Sequence, residues 1–120
     1  MSRIRPEATI EVLEEPATVV RLRVPGDVDM GEFDRLNEEI LKRLDLEPNE
    51  GLIADLTGTE YFGSAMLGLL VNLRQRAVSR GGRMALVHVS PRLHEVLSMS
   101  GLARLFTITR SLQAAVDEVV

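Results

Sequence analysis

The sequence predicts an α/β fold: a single mixed, mostly parallel sheet of about five strands, with an N-terminal antiparallel hairpin and about four helices packed on it. Three observations predict this. Two β-rich runs, residues 8–13 and 17–24, are separated only by Glu14-Glu15-Pro16, a link short enough for an antiparallel pair. After them, short apolar runs alternate with segments of helical period, and strands joined through helices demand right-handed parallel crossovers. Turn and stop signals (Pro25-Gly26, Asn49-Glu50-Gly51, Gly81-Gly82) punctuate each change.

The elements follow in order. In TVVRLRV, apolar and basic residues alternate, as in a strand with one wet face. Asp29 opens the first helix with Glu32 as a capping-box-like partner, and Phe33, Leu36, Ile40, Leu41 and Leu44 recur at helical spacing opposite a solvated face of Glu38, Glu39, Lys42 and Arg43. Leu52, Ile53, Ala54 and Leu56, interrupted by Asp55, are too few for a helix and read as a buried strand. Thr57-Gly58-Thr59-Glu60 is turn chemistry, after which an apolar-rich helix runs from about Ser64 to Ser79. Its apolar positions, including Met66, Leu67, Leu69, Leu70, Leu73 and Ala77, cover a wider arc than one core face needs. A strand over 83–89, a helix capped by Ser90 with Pro91 at its first position, an edge strand over 105–108 and a last helix over 111–119 complete the chain. No repeat or interdomain linker divides residues 1–120, which read as one domain.

Composition narrows the function. The chain of 120 residues has no Cys, which excludes disulfides and thiolate metal sites and suits a reducing cytoplasm. A formal charge of −4 argues against nucleic acid as the main partner, and 3% aromatic content leaves little for base stacking. Arg74, Arg76, Arg80 and Arg83 read as the solvated side of one helix and its exit. MSRIRPEAT is no signal peptide, and the apolar run over 65–71 is too short for membrane insertion. Phosphate-loop, dinucleotide and HExxH patterns are absent, so no cofactor is expected. His88 and His94, the two histidines, have no ligand spacing around them, so no metal is expected. Ser64 lies in Gly-Ser-Ala rather than a Gly-x-Ser-x-Gly elbow and has no assignable base. The expectation is a binding protein without catalytic residues, not an enzyme.

Ser64 itself has two readings. Its hydroxyl can cap the helix, and its place at the positive end of the helix dipole would receive a phosphate well.

Four segments carry a resemblance that extends over nearly the whole chain. Gly26-Asp27-Val28-Asp29, Leu52-Ile53-Ala54-Asp55-Leu56-Thr57-Gly58, Phe62-Gly63-Ser64-Ala65-Met66-Leu67-Gly68, and Val96 to Leu102 followed by Leu105-Phe106 stand in the order and pattern of the STAS family. The chain resembles the members that act as anti-sigma factor antagonists. The resemblance implies a cytoplasmic regulator that binds an anti-sigma factor, itself a serine kinase, and is switched by phosphorylation of Ser64, with a PPM-type phosphatase reversing the modification. Thr57 and Thr59, in the same loop, are the lesser candidate acceptors. The implied partner surface comprises Asp29, Asp55, Gly63, Ser64, Ala65, Met66 and Leu69. The sequence departs from the family pattern at Gly63, where the family has Asp, and at Met66, where it has Gly. The alternatives are a constitutive STAS scaffold in a stress-sensing or transporter-associated assembly, a nucleotide-binding module, and, remotely, a hydrolase using Ser64.

Overall fold

The computed structural model describes residues 9–13, 17–24, 30–60 and 63–120. Strand β1 (Thr9–Leu13) runs antiparallel to β2 (Thr18–Arg23), with Thr9 opposite Arg23 and Leu13 opposite Val19. β2 pairs parallel with β3 (Leu52–Asp55), β3 with β4 (Met84–Val87), and β4 with β5 (Thr107–Thr109). Spatial order therefore equals chain order, β1-β2-β3-β4-β5. Each parallel step is bridged by a helix: α1 (Met30–Arg43) after β2, α2 (Ser64–Ser79) after β3, and α3 (Pro91–Met99) after β4. A 3₁₀ turn (Ala103–Leu105) precedes β5, and α4 (Leu112–Val119) follows it. Residues 25–29 precede α1, so the cap expected of Asp29 lies outside the described residues.

Helices cover both faces of the central strands, which is why β3 reads as continuous rather than alternating apolar sequence. Leu52, Ala54 and Leu56 face one layer, with Phe33, Leu36 and Ile40 of α1, Met66, Leu69, Leu70 and Leu73 of α2, and Leu93 and Leu97 of α3. Ile53, Ala85 and Val87 face the other, against Ala115 and Val119 of α4. Period-two alternation therefore sends Asp55, two residues after Ile53, toward the α4 side at the carboxyl end of β3.

An expected strand start and an expected cap move, while α2 keeps its expected bounds. Leu105 belongs to the 3₁₀ turn and the last strand begins at Thr107, because the amides of Leu105 and Phe106 turn back to the carbonyls of Leu102 and Ala103. Ser64 is not the cap of α2. Gly63 holds the extended cap position, and its carbonyl accepts from the amides of Met66 and Leu67, which leaves Ser64 as the first helical residue.

Candidate functional site

The carboxyl ends of β2, β3 and β4 bring together residues far apart in sequence. Parallel register sets Arg21 of β2 beside Asp55 of β3, and Asp55 beside Val87 of β4, so His88 emerges at the same edge. Asp55, its side chain 8% exposed, uses both carboxylate oxygens. Oδ1 accepts from the Thr57 hydroxyl at 2.6 Å, the Thr57 amide at 3.1 Å and His88 Nδ1 at 3.1 Å, while Arg21 Nε stands 3.5 Å from Oδ2. Burial alone would push the Asp55 carboxyl up, but the bonds from Thr57 and His88, together with the His88 charge, outweigh it and hold its pKa below the ordinary carboxylate value.

The same His88 nitrogen lies 2.9 Å from Thr57 Oγ1. Since the Thr57 hydroxyl donates to Asp55, the consistent assignment puts the proton on Nδ1, donating to both oxygens. This is not a nucleophile–base–carboxylate relay, which would use the two different ring nitrogens.

Beyond Asp55 the chain turns tightly, with the Thr59 amide donating to the Leu56 carbonyl at 2.9 Å. Gly58 sits third in this turn with φ +76°, the left-handed conformation a type II turn requires there. Thr59 then anchors the loop to β2. Its hydroxyl, 1% exposed as a residue, donates to the Leu22 carbonyl at 2.6 Å and accepts from the Val24 amide at 3.1 Å. The Glu60 amide adds a bond to the Val24 carbonyl. Residues 61–62 lie outside the described residues, and Gly63 then leads into α2.

Ser64 is exposed, and its hydroxyl makes no hydrogen bond among the described residues. The first turn of α2 carries no acidic side chain, so the positive end of its dipole is uncompensated there. Gly68 is exposed on the same face, with Leu67 and Val71 half-buried alongside.

The family description matching this chain, over residues 10–115, is that of the STAS domain. The chain belongs to the STAS domain family. An anti-sigma F factor antagonist from Paenibacillus polymyxa is 25% identical over 96 residues, 80% of this chain and 82% of that protein. A STAS-domain anti-sigma-factor antagonist protein from Planctomyces limnophilus superposes with TM-score 0.79 at 26% identity, covering 91% of this chain and 96% of that one. The Bacillus cell fate determinant SpoIIAA in its phosphorylated form shares the fold at TM-score 0.63 and 18% identity, covering 92% and 98%.

Within this STAS domain, the residues singled out from sequence separate into groups. Gly63, Ser64 and Ala65 open α2 at the surface, and Asp55 stands beneath the loop that leads there. Met66 and Leu69, expected on the partner surface, are instead core residues at 0% and 1% exposure. The wide apolar arc of α2 is absorbed because the helix packs into a layer shared with α1 and α3, which takes more than one narrow stripe. Thr57 is exposed but its hydroxyl is engaged by Asp55 and His88, whereas Thr59 is buried. Asp29 lies outside the described residues. From sequence His88 reads as one more strand residue. The available signal was register: two apolar runs, LIAD and MALV, end in parallel at one sheet edge, which brings the next polar residues together. Among the described residues, no helix is long and apolar enough to cross a membrane, and no group of three or more His, Cys, Asp or Glu is placed to hold a metal ion.

Proposed function

We propose that this STAS domain is an anti-sigma factor antagonist: a non-enzymatic protein that binds an anti-sigma factor, itself a serine kinase, and is switched by phosphorylation of Ser64. A PPM-type phosphatase restores the binding form. The observation that carries this reading is the state of three hydroxyls. Thr59 is buried and bonded twice, Thr57 is committed to Asp55 and His88, and Ser64 is exposed, without a hydrogen bond among the described residues, and relieved of capping by Gly63. Ser64 is thus the hydroxyl a kinase reaches without breaking the loop. The name of the Paenibacillus relative supports the partner class.

A phosphate on Ser64 would add roughly two negative charges beside half-buried Leu67 and Val71, opposing an apolar contact through desolvation and repulsion. Met66, in place of the family Gly, adds no bulk to this surface because it points into the core. Gly63, in place of Asp, changes the acidity beside the acceptor, and this favours the second reading, a constitutive scaffold without phosphate.

Phosphosite mapping on protein from its own cells, stressed and unstressed, decides between them. A condition-dependent phosphate on Ser64 is expected, and its absence under every condition moves the assignment to the scaffold. With the anti-sigma factor in hand, Ser64→Asp is expected to weaken the complex at least about tenfold, a loss near 1.4 kcal/mol. Ser64→Ala is expected to bind like the parent and to resist switching. An Asp variant binding as tightly as the parent removes the switch.

A further inference from the structure

We infer that His88 is the positioning residue of the β3–α2 turn that leads toward Ser64, and that its ring ties the end of β4 to that turn and, through it, to the end of β2. The inference deepens the proposed function, resting on it only for the role of Ser64.

The first observation is backbone conformation. His88 has φ +58°, a region uncommon for any residue with a side chain, though Asn, Asp and His enter it more often than the rest. Such a conformation persists where the surroundings over-determine it. Here the surroundings are Asp55 and Thr57, contacted by Nδ1 at 3.1 and 2.9 Å. The left-handed turn is what brings the ring back over the end of β3 rather than along the line of β4.

The second observation is where those bonds lead. Asp55 holds the amide and hydroxyl of Thr57, the second residue of the β3–α2 turn. At the other end of that turn, Thr59 and Glu60 bond both the amide and the carbonyl of Val24, the last described residue before the connection to α1. Two residues after His88, Ser90 caps α3 by accepting from the Leu93 amide at 3.1 Å. Hydrogen bonds from His88 to Asp55 and Thr57, and from Thr59 and Glu60 to the end of β2, are joined by short stretches of chain (His88 to Ser90 at the opening of α3, and Thr57 to Thr59 within the turn). Arg21 approaches from β2 on the other oxygen of Asp55. The half-exposed ring can supply this link without a place in the core, since its side chain is 44% exposed.

Amide hydrogen exchange on the unmodified chain tests this with three substitutions. His88→Ala removes the donor, and His88→Gly removes it while easing the backbone. His88→Asn keeps a side-chain N–H donor close to the position of Nδ1 and tolerates the left-handed turn. In the Ala and Gly variants the Thr57, Val24 and Glu60 amides are expected to exchange about tenfold faster, together, while Ala54 and Leu86 in the sheet are unchanged. His88→Asn is expected to restore the parent rates. Thr57→Val is expected to loosen the same amides, with a less than additive effect when combined with His88→Ala, because the two share the His88–Thr57 contact.

Parent-like rates in His88→Ala overturn the inference. So does restoration by Gly equal to that by Asn, which would assign the effect to the backbone alone, or a uniform rise that includes the sheet amides. None of these readouts involves a kinase. An unphosphorylated Ser64 would sink the switch and leave this result standing, and a loop unaffected by His88 would do the reverse.

Discussion

Asp55 illustrates how one buried carboxylate organises a loop. Three donors converge on its Oδ1 and Arg21 approaches Oδ2, so ionised Asp55 is better satisfied in the folded chain than its burial would suggest. Its folded pKa lies below the ordinary 3.8. Its contribution to stability is therefore complete above the unfolded value and is lost as pH falls through the folded value. Replacing Asp55 by Asn should cost about 1–3 kcal/mol at neutral pH, since the amide supplies a weaker acceptor and no charge for Arg21 or His88. That difference should narrow as the solution is taken below about pH 4. Urea unfolding midpoints of the two proteins across pH 7 to 3 check it. Parallel curves over that range would mean that Asp55 does not titrate with folding.

At the scale of the element, α2 does two jobs on two faces. Met66, Leu69, Leu70, Leu73 and Ala77 recur at helical spacing and are all buried, while Ser64, Gly68, Asn72 and Gln75 face outward. Gly68 is the one weak helix former on that outer face. A Cβ placed there meets nothing within 4 Å, and its φ is not in the left-handed range. Gly68→Ala should therefore stabilise the chain by about 0.5–1 kcal/mol, through lower backbone entropy in the unfolded state. If the Ser64 face docks against a partner, the same methyl should weaken that complex while raising stability. Thermal unfolding together with titration of the anti-sigma factor separates these effects. A loss of stability would show that the outer face of α2 is already crowded.

The whole molecule is tied together at the opposite end of the sheet from Ser64. Gly51, just before β3, lies so close to the last turn of α4 that a Cβ there would come 2.6 Å from the Val119 side chain. Val119 and Ala115 are the buried residues through which α4 covers the second face of the sheet, over Ile53, Ala85 and Val87. Glu50 braces the same end: Oε1 accepts from the Thr18 hydroxyl and Oε2 from the Glu47 amide. Gly51→Ala should push α4 outward and cost about 1–3 kcal/mol by overpacking, without disturbing the Ser64 loop at the far edge. Urea unfolding gives the first quantity and amide exchange at Thr57 the second. An unchanged stability would mean that α4 is only loosely held.

Much of this architecture was legible in the sequence because its causes are local. The periods of α1 and α2, the Ser90-Pro91 opening of α3 and the apolar runs of β3 and β4 come from neighbouring residues acting on one another, and they imply a sheet crossed by helices. The position of Ser64 at the opening of a helix belongs to this class. What was not legible depends on which distant atoms meet. Gly63 rather than Ser64 takes the cap, since backbone geometry at the loop exit decides it. Met66 and Leu69 turn inward because α1 and α3 present a layer deep enough to receive them. Asp55, Thr57 and His88 share one hydrogen-bonded cluster only because parallel register brings residues 31 to 33 positions apart to the same sheet edge. By itself the sequence determined the order of elements and the place of Ser64 at the opening of a helix. Tertiary structure alone decided which hydroxyls are already bonded and which remains available, because hydrogen-bond partners across a sheet are set by register and not by spacing along the chain.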